Sequence, residues 1–158
     1  GHHIAALQLE KAAGVKLAYI PSNKGGAGAM KSVIAGEVLG GVNNLSDAFR
    51  AREAGNVKIL GVFDLERNAF MEDVPTMQEQ GFDIDNASVN FRGVMVPAGT
   101  PQGVIDHLAA VVPTMFENSR VQGKMSAGGS PMHVMNREEV LEMWAARQTT
   151  LEELLAGL

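Results

Sequence analysis

Apolar side chains recur at helical spacing through the first thirteen residues, where Ile4, Leu7 and Leu9 are interleaved with Ala5, Ala6, Ala12 and Ala13 before the run meets Gly14. This pattern predicts a helix with a left-handed stop, a conformation that glycine adopts without the clash of a Cβ. Lys16 to Ile20 then reads as a strand ended by Pro21, and Ser22 to Gly26 as a loop. Ala27 to Ala35 reads as a short helix closed by Gly36, Val38 to Val42 as a glycine-bearing strand, and Leu45 to Ala54 as a helix stopped by Gly55. Val57 to Phe63 is almost wholly apolar and reads as a buried strand. Strands separated by helical crossovers predict an α/β fold, a mainly parallel sheet with helices on both faces.

The signal from Asp64 to Asn86 is turn-rich, with a bend at Pro75 and one helical turn over Thr76 to Gln80, and Val89 to Val96 follows as a strand. Thr100-Pro101 has the look of an N-cap with proline at the first helical position. Val104, Ile105, Leu108, Val111, Val112, Met115 and Phe116 form a broad apolar stripe behind it, so that helix is expected to be heavily buried. Pro113 lacks a backbone donor, and a kink or break near Ala109 to Ala110 is the expected result. The last helix opens at Asn136 with Glu139 three residues on, the spacing of a capping box, and carries Val140, Trp144, Leu151 and Leu155 on one face. Core packing is the expected role of Trp144 and of the methionines.

Composition narrows the partners. The 158 residues are 46% hydrophobic and 20% charged, with a formal net charge of -5 and no block of like charges. Nucleic acid and anionic membrane surfaces are therefore not expected as partners. The absence of cysteine excludes disulfide frameworks and thiolate metal sites. No apolar run approaches the ~18 residues of a bilayer span, and no basic region followed by an apolar stretch opens the chain. The chain starts Gly1-His2-His3-Ile4, without Met and directly in a helical pattern, and is read as part of a longer polypeptide with Gly1 as a cleavage remnant.

Several catalytic signatures are approached and missed. Gly25 to Ser32 matches a phosphate-binding loop except that Met30 stands where the glycine before the lysine is required. Gly26-Ala27-Gly28 lacks the third glycine of a dinucleotide fingerprint, which falls at Lys31. His2, His3, His107 and His133 offer no i, i+4 pair for a metal, and Gly129-Ser130-Pro131 is not a nucleophile elbow. Neither a cofactor nor turnover is expected. What remains is two polar loops at strand ends, Ser22-Asn23-Lys24-Gly25-Gly26 and Asn43-Asn44-Leu45-Ser46. In a parallel sheet both would lie at the carboxyl ends of neighbouring strands, where open α/β folds take ligands. They supply amides, a hydroxyl and one cation but no base or nucleophile, which favours binding of an anion over catalysis.

Taken in order, Gly1 with His3, Ile20-Pro21, Lys24-Gly25-Gly26, Ile34 to Val38, Gly55 to Phe63 and Arg67 resemble one known family. The resemblance continues through Asp73-Val74-Pro75-Thr76, Phe91-Arg92-Gly93-Val94, Pro97-Ala98-Gly99-Thr100-Pro101 and Trp144. The family is the solute-binding proteins of tripartite tricarboxylate transporters, the Bug family, and the match is to its C-terminal half. It implies a periplasmic-binding-protein type II architecture in which two α/β lobes close over a small carboxylate, with most of the first lobe outside this chain. Residues 1–90 would form the second ligand-binding lobe, and residues 91–158 a crossover strand and helices that return to the first lobe. The implied partners are a small carboxylate and the membrane subunits of the transporter, and the implied location is the periplasm.

The family usually has Val-Pro-Tyr before Lys-Gly, whereas Ser22 and Asn23 follow Pro21 here, and Leu39 stands where an Asp commonly follows Gly-Gly-Gln-Val. Strand-end placement together with the family's matching loops gives the expected ligand set: His3, Ser22, Asn23, Lys24, Gly25, Gly26, Asn43, Asn44, Ser46 and Arg92. A ligand-sensing regulatory domain of the same fold is the alternative, and a nucleotide-binding enzyme a more distant one. The apolar faces of the last helices also lead to an expectation that the chain pairs as a dimer.

Overall fold

A computed structural model describes residues 1–156. Its helices are α1 (His2–Ala13), α2 (Gly25–Ile34), α3 (Leu45–Glu53), α4 (Gln102–Thr114), α5 (Ser119–Ala127) and α6 (Arg137–Leu155), with single 3₁₀ turns at Gln78–Gln80 and Met115–Glu117. The first three helices end as expected, with Gly14, Gly36 and Gly55 at φ of 65°, 70° and 72°. At α6, Asn136 accepts from the Glu138 and Glu139 amides while the Glu139 side chain accepts from the Asn136 amide, so the capping box forms in full. Such a cap satisfies orphan donors of the first turn and fixes where the helix starts.

The expected sheet is not formed. Among the described residues, none of the four segments read as strands belongs to a ladder, and an isolated parallel bridge joins Val62 to Thr76 through Val62 N to Pro75 O and Met77 N to Val62 O. An alternating or apolar segment supplies faces for a strand, but a strand exists only when a neighbour takes its backbone groups. Here Tyr19 N closes on Leu17 O within its own segment, and Ile20 and Leu60 point outward at 70% and 71% exposure.

Two other expectations fail. Helix α4 is not heavily buried: none of its residues is buried, because no other helix covers its apolar stripe. It also shows no break at Ala109 to Ala110, since Pro113 falls in the last turn and the chain simply tightens into the following 3₁₀ turn. One missing donor that close to a helix end removes little. Trp144 is not in the core either; it is exposed and tilts against Phe91, with 6.1 Å between ring centroids. Helix α5 has no counterpart in the elements that the sequence pattern predicts.

The core lies elsewhere. Ala5 and Ala6 of α1, Ala48 and Ala51 of α3, and Met71, Val74, Met77, Ile84 and Ala87 from the turn-rich stretch are buried, with Met71 and Ile84 the largest side chains fully enclosed. Asp85 ties this stretch to both ends of the chain. Its Oδ1 accepts from Gln8 Nε2 of α1 (2.5 Å) and from the Ala87 amide (2.9 Å), and its Oδ2 accepts from Thr150 Oγ1 of α6 (3.2 Å). Nearby, Thr76 and Glu79 exchange amide and side-chain hydrogen bonds, and Glu79 takes the Arg67 guanidinium at 2.9 Å. That guanidinium and the Thr76 amide pull the Glu79 carboxyl down to about 2. Residues 157 and 158, the end of the segment expected to return to a first lobe, lie outside the described residues.

Candidate functional site

The two polar loops do come together. Gly25 enters α2 with φ of 65°, a left-handed turn that side chains other than glycine rarely accept. Gly26 follows, and a Cβ there would collide with the carboxylate of Asp47, in the first turn of α3. Helices α2 and α3 therefore approach at their N-terminal ends, with Ser46 beside the contact. Ser22 folds back over the same turn: its Oγ accepts from the Lys24 amide at 3.3 Å, and a Cβ on Gly28 would strike that hydroxyl. Ser22, Asn23, Lys24 and Gly25 are exposed.

The first turn of α3 has no side-chain cap. Asn44 is its N-cap, yet no side-chain cap bond forms, because Asn44 Oδ1 accepts from Asn90 Nδ2 instead. The Asn43 side chain, just before it, has both Nδ2 and Oδ1 buried without a hydrogen-bond partner. Buried amide atoms of this kind cost free energy unless something completes them. The arrangement can donate to an oxygen-rich anion from Asn43 and from the first amides of α3, helped by the helix dipole. Gly1 packs close to Asn90 and to the Ser88 carbonyl, which brings the start of α1 to the same neighbourhood.

Not every expected residue joins them. His3 is exposed and stacks on Tyr19, ring centroids 4.5 Å apart and planes 20° from parallel. Arg92 is exposed, and among the described residues no hydrogen bond or ion pair links it to the loops. Conversely, Asn90 and Asp47 belong to the cluster and were missed. No motif marks Asp47, which lies within the segment read as a helix from Leu45 to Ala54, and Asn90 reads as a strand residue, 46 positions from the side chain it touches.

Two open hollows flank the region. One of about 540 Å³ lies between α2, α3 and Gly128, lined among others by Lys31, Ser46, Asp47 and Arg50. The other, about 640 Å³, runs between α1 and α6 and is lined by Ile4, Phe91, Trp144, Arg147 and Leu151 among others. In the second, Arg147 Nη1 donates to Val89 O at 2.7 Å, and the guanidinium lies 5.4 Å over the Phe91 ring. Burial pushes this guanidinium below its ordinary value, against the opposing pull of Asp64 and Asp85. Among the described residues, no helix is long and apolar enough to cross a membrane.

Comparison with known proteins gives this geometry its setting. The UPF0065 protein in the tcbD-tcbE intergenic region of Pseudomonas sp. (strain P51) is 30% identical over a 139-residue alignment that covers 82% of this chain and 40% of that protein. A TctC solute-binding protein from Polaromonas, solved without ligand, superposes with a TM-score of 0.74 at 22% identity, covering 99% of this chain and 54% of its own. An R. palustris protein solved with adipate superposes with a TM-score of 0.77 at 20% identity, covering 97% of this chain and 50% of its own. This chain thus spans between two fifths and about half of the relatives it matches, and shares the fold of that part of the solute-binding proteins. The model of the tripartite tricarboxylate transporter family receptor, TctC, matches residues 1–153, and the chain belongs to that family of receptors.

Proposed function

We propose that this chain forms a ligand-binding portion of an extracytoplasmic receptor, which takes a small carboxylate at the entrance of α3 and presents it to the membrane subunits of a tripartite tricarboxylate-type transporter. The observation that carries the reading is the Asn43 amide, buried with both polar atoms unpartnered beside the uncapped first turn of α3. On this reading Asn44, Ser46 and the Lys24 to Gly26 turn are the further donors. The membership in a receptor family supports binding rather than turnover. The adipate in one relative supports a carboxylate as the ligand class. A location outside the cytoplasmic membrane follows from the same role.

Calorimetry with a series of dicarboxylates, adipate included, tests the site. A charge-assisted hydrogen bond contributes about 1.5–3 kcal/mol, so Asn44→Ala and Lys24→Ala should each weaken binding by about ten- to a hundredfold. Unchanged affinity in both variants would remove the site from these loops.

We infer in addition that the chain pairs with a second copy. The surface of its last helices is partly apolar. The apolar part of it includes Val104 and Val111 of α4 and Leu141, Trp144 and Leu155 of α6. Light scattering at micromolar concentration should report a dimer; a well-dispersed monomer would refute the pairing.

A further inference from the structure

Asn44 has the backbone of a helix cap but not the bond of one. Its φ and ψ of -63° and 144° set it at the N-cap of α3, yet its side chain accepts from none of the amides behind it. The reason lies in a distant segment: Asn90 Nδ2 donates to Asn44 Oδ1 and holds the acceptor that would otherwise turn onto the Ser46 or Asp47 amide. Asn90 is itself held in place. Arg147 grips the residues on either side of it, through the Val89 carbonyl and the Phe91 ring. Gly1 lets the Asn90 side chain pack against the start of α1, where a Cβ would collide with Oδ1. An asparagine whose oxygen is engaged in this way has its amide hydrogens left to offer.

We propose that Asn90 is a positioning residue for the carboxylate site: it keeps Asn44 from capping α3, so that the first-turn amides stay free for an external anion and the Asn44 amide joins them as a donor. The inference rests on the carboxylate-binding reading above and deepens it. A cap oxygen and a carboxylate oxygen compete for the same amides, so a helix that caps itself must be uncapped before it can bind there. The Asn90 bond decides that competition in advance, within the fold itself. The Asn43 side chain, next to Asn44 and with both polar atoms buried and unpartnered, is the independent sign that a ligand completes this entrance. The arrangement carries its own signature: α3 forgoes the stabilisation of a cap, so a change at Asn90 that weakens binding should not weaken the fold.

Adipate calorimetry, thermal melting and amide exchange of Asn90→Ala test this together. Affinity should fall about five- to tenfold, while the melting temperature stays level or rises by up to about 4 °C as Asn44 turns onto its own helix. Exchange at the Ser46 amide should slow for the same reason. Asn90→Gln, which keeps the donor, should recover most of the affinity. Because Asn90 acts through Asn44, Asn90→Ala should have no further effect on binding in a chain that already carries Asn44→Ala. Unchanged affinity in Asn90→Ala, a joint fall of affinity and melting temperature, or an equal loss with and without the Asn44 side chain overturns the proposal. Failure of the natural chain to take adipate would defeat the carboxylate-binding reading instead, whereas unaltered Ser46 exchange in Asn90→Ala would defeat the inference about Asn90 on its own.

Discussion

The turn-rich stretch from Asn68 to Ser88 and the helical stretch from Gln102 to Leu155 invert the usual relation between regularity and burial. The first has one 3₁₀ turn and no α-helix, yet it holds most of the large buried side chains, with Met71 and Ile84 at 1% and 2% exposure. The second has three α-helices and no buried residue in any of them. Helical form there rests on local devices, caps and i to i+4 bonds, whereas the turn-rich stretch is held by contacts with α1, α3 and α6. Cooperative stability therefore belongs to the irregular part, and the regular part is the better supplied with surface for partners.

The sharpest way to break this contrast is by truncation in each region. Ile84→Ala should destabilise the chain by about 2–5 kcal/mol in urea titrations, whereas Val111→Ala in α4 should stay below about 1 kcal/mol. Equal losses would mean that α4 is buried in solution. Next comes Asp85→Ala, which frees the buried Gln8 amide and the Thr150 hydroxyl together; a loss of about 1–3 kcal/mol is expected, and Thr150→Ala alone should cost less. If the two variants melt alike, Gln8 is not anchored by Asp85. Removing the α6 cap with Asn136→Ala should cost about 1 kcal/mol and raise amide exchange only in the first turn of that helix. Exchange spreading into the turn-rich stretch would show that the two regions unfold as one.

The smallest effect is an acid one. The Glu79 carboxyl is drawn down to about 2 from an unfolded value of 4.5, so its contribution is complete above the unfolded value and fades as pH falls towards the folded one. The pair is exposed, and salt will screen part of it. Stability of the natural chain measured from pH 5 to pH 2 should fall more steeply than that of Glu79→Gln, and parallel profiles would dismiss the Arg67–Glu79 contact as a stabilising one.

What could be read in the sequence was what a few neighbouring residues decide among themselves. Gly14, Gly36 and Gly55 stop helices, and Asn136 with Glu139 starts one, because each signal acts within a turn of chain. Helix α5 escaped because Ser119–Ala127 contains Gly123 and no continuous apolar stripe, though Asn118 caps it through the Arg120 amide. The strands escaped for the opposite reason: Val57 to Phe63 has the composition of a strand, but pairing is a relation between distant segments that composition does not specify. In the candidate site, the two polar loops were expected together as the ends of neighbouring parallel strands; that sheet does not form, and it is the packing of α2 on α3 that brings them near each other. The Asn44–Asn90 bond and the seat of Asp47 at Gly26 depend on how α2, α3 and the stretch before Phe91 are stacked, which no local pattern encodes.

The grip of Arg147 on Val89 and Phe91 has a mechanical meaning. It fastens the chain to α6 just ahead of the residues Arg92 to Val96, which are all exposed. The anchored end of the exposed stretch is thereby tied to the same helix that Asp85 links to α1, through Gln8 on one and Thr150 on the other, so the start of Arg92 to Val96 is fixed relative to both ends of the chain.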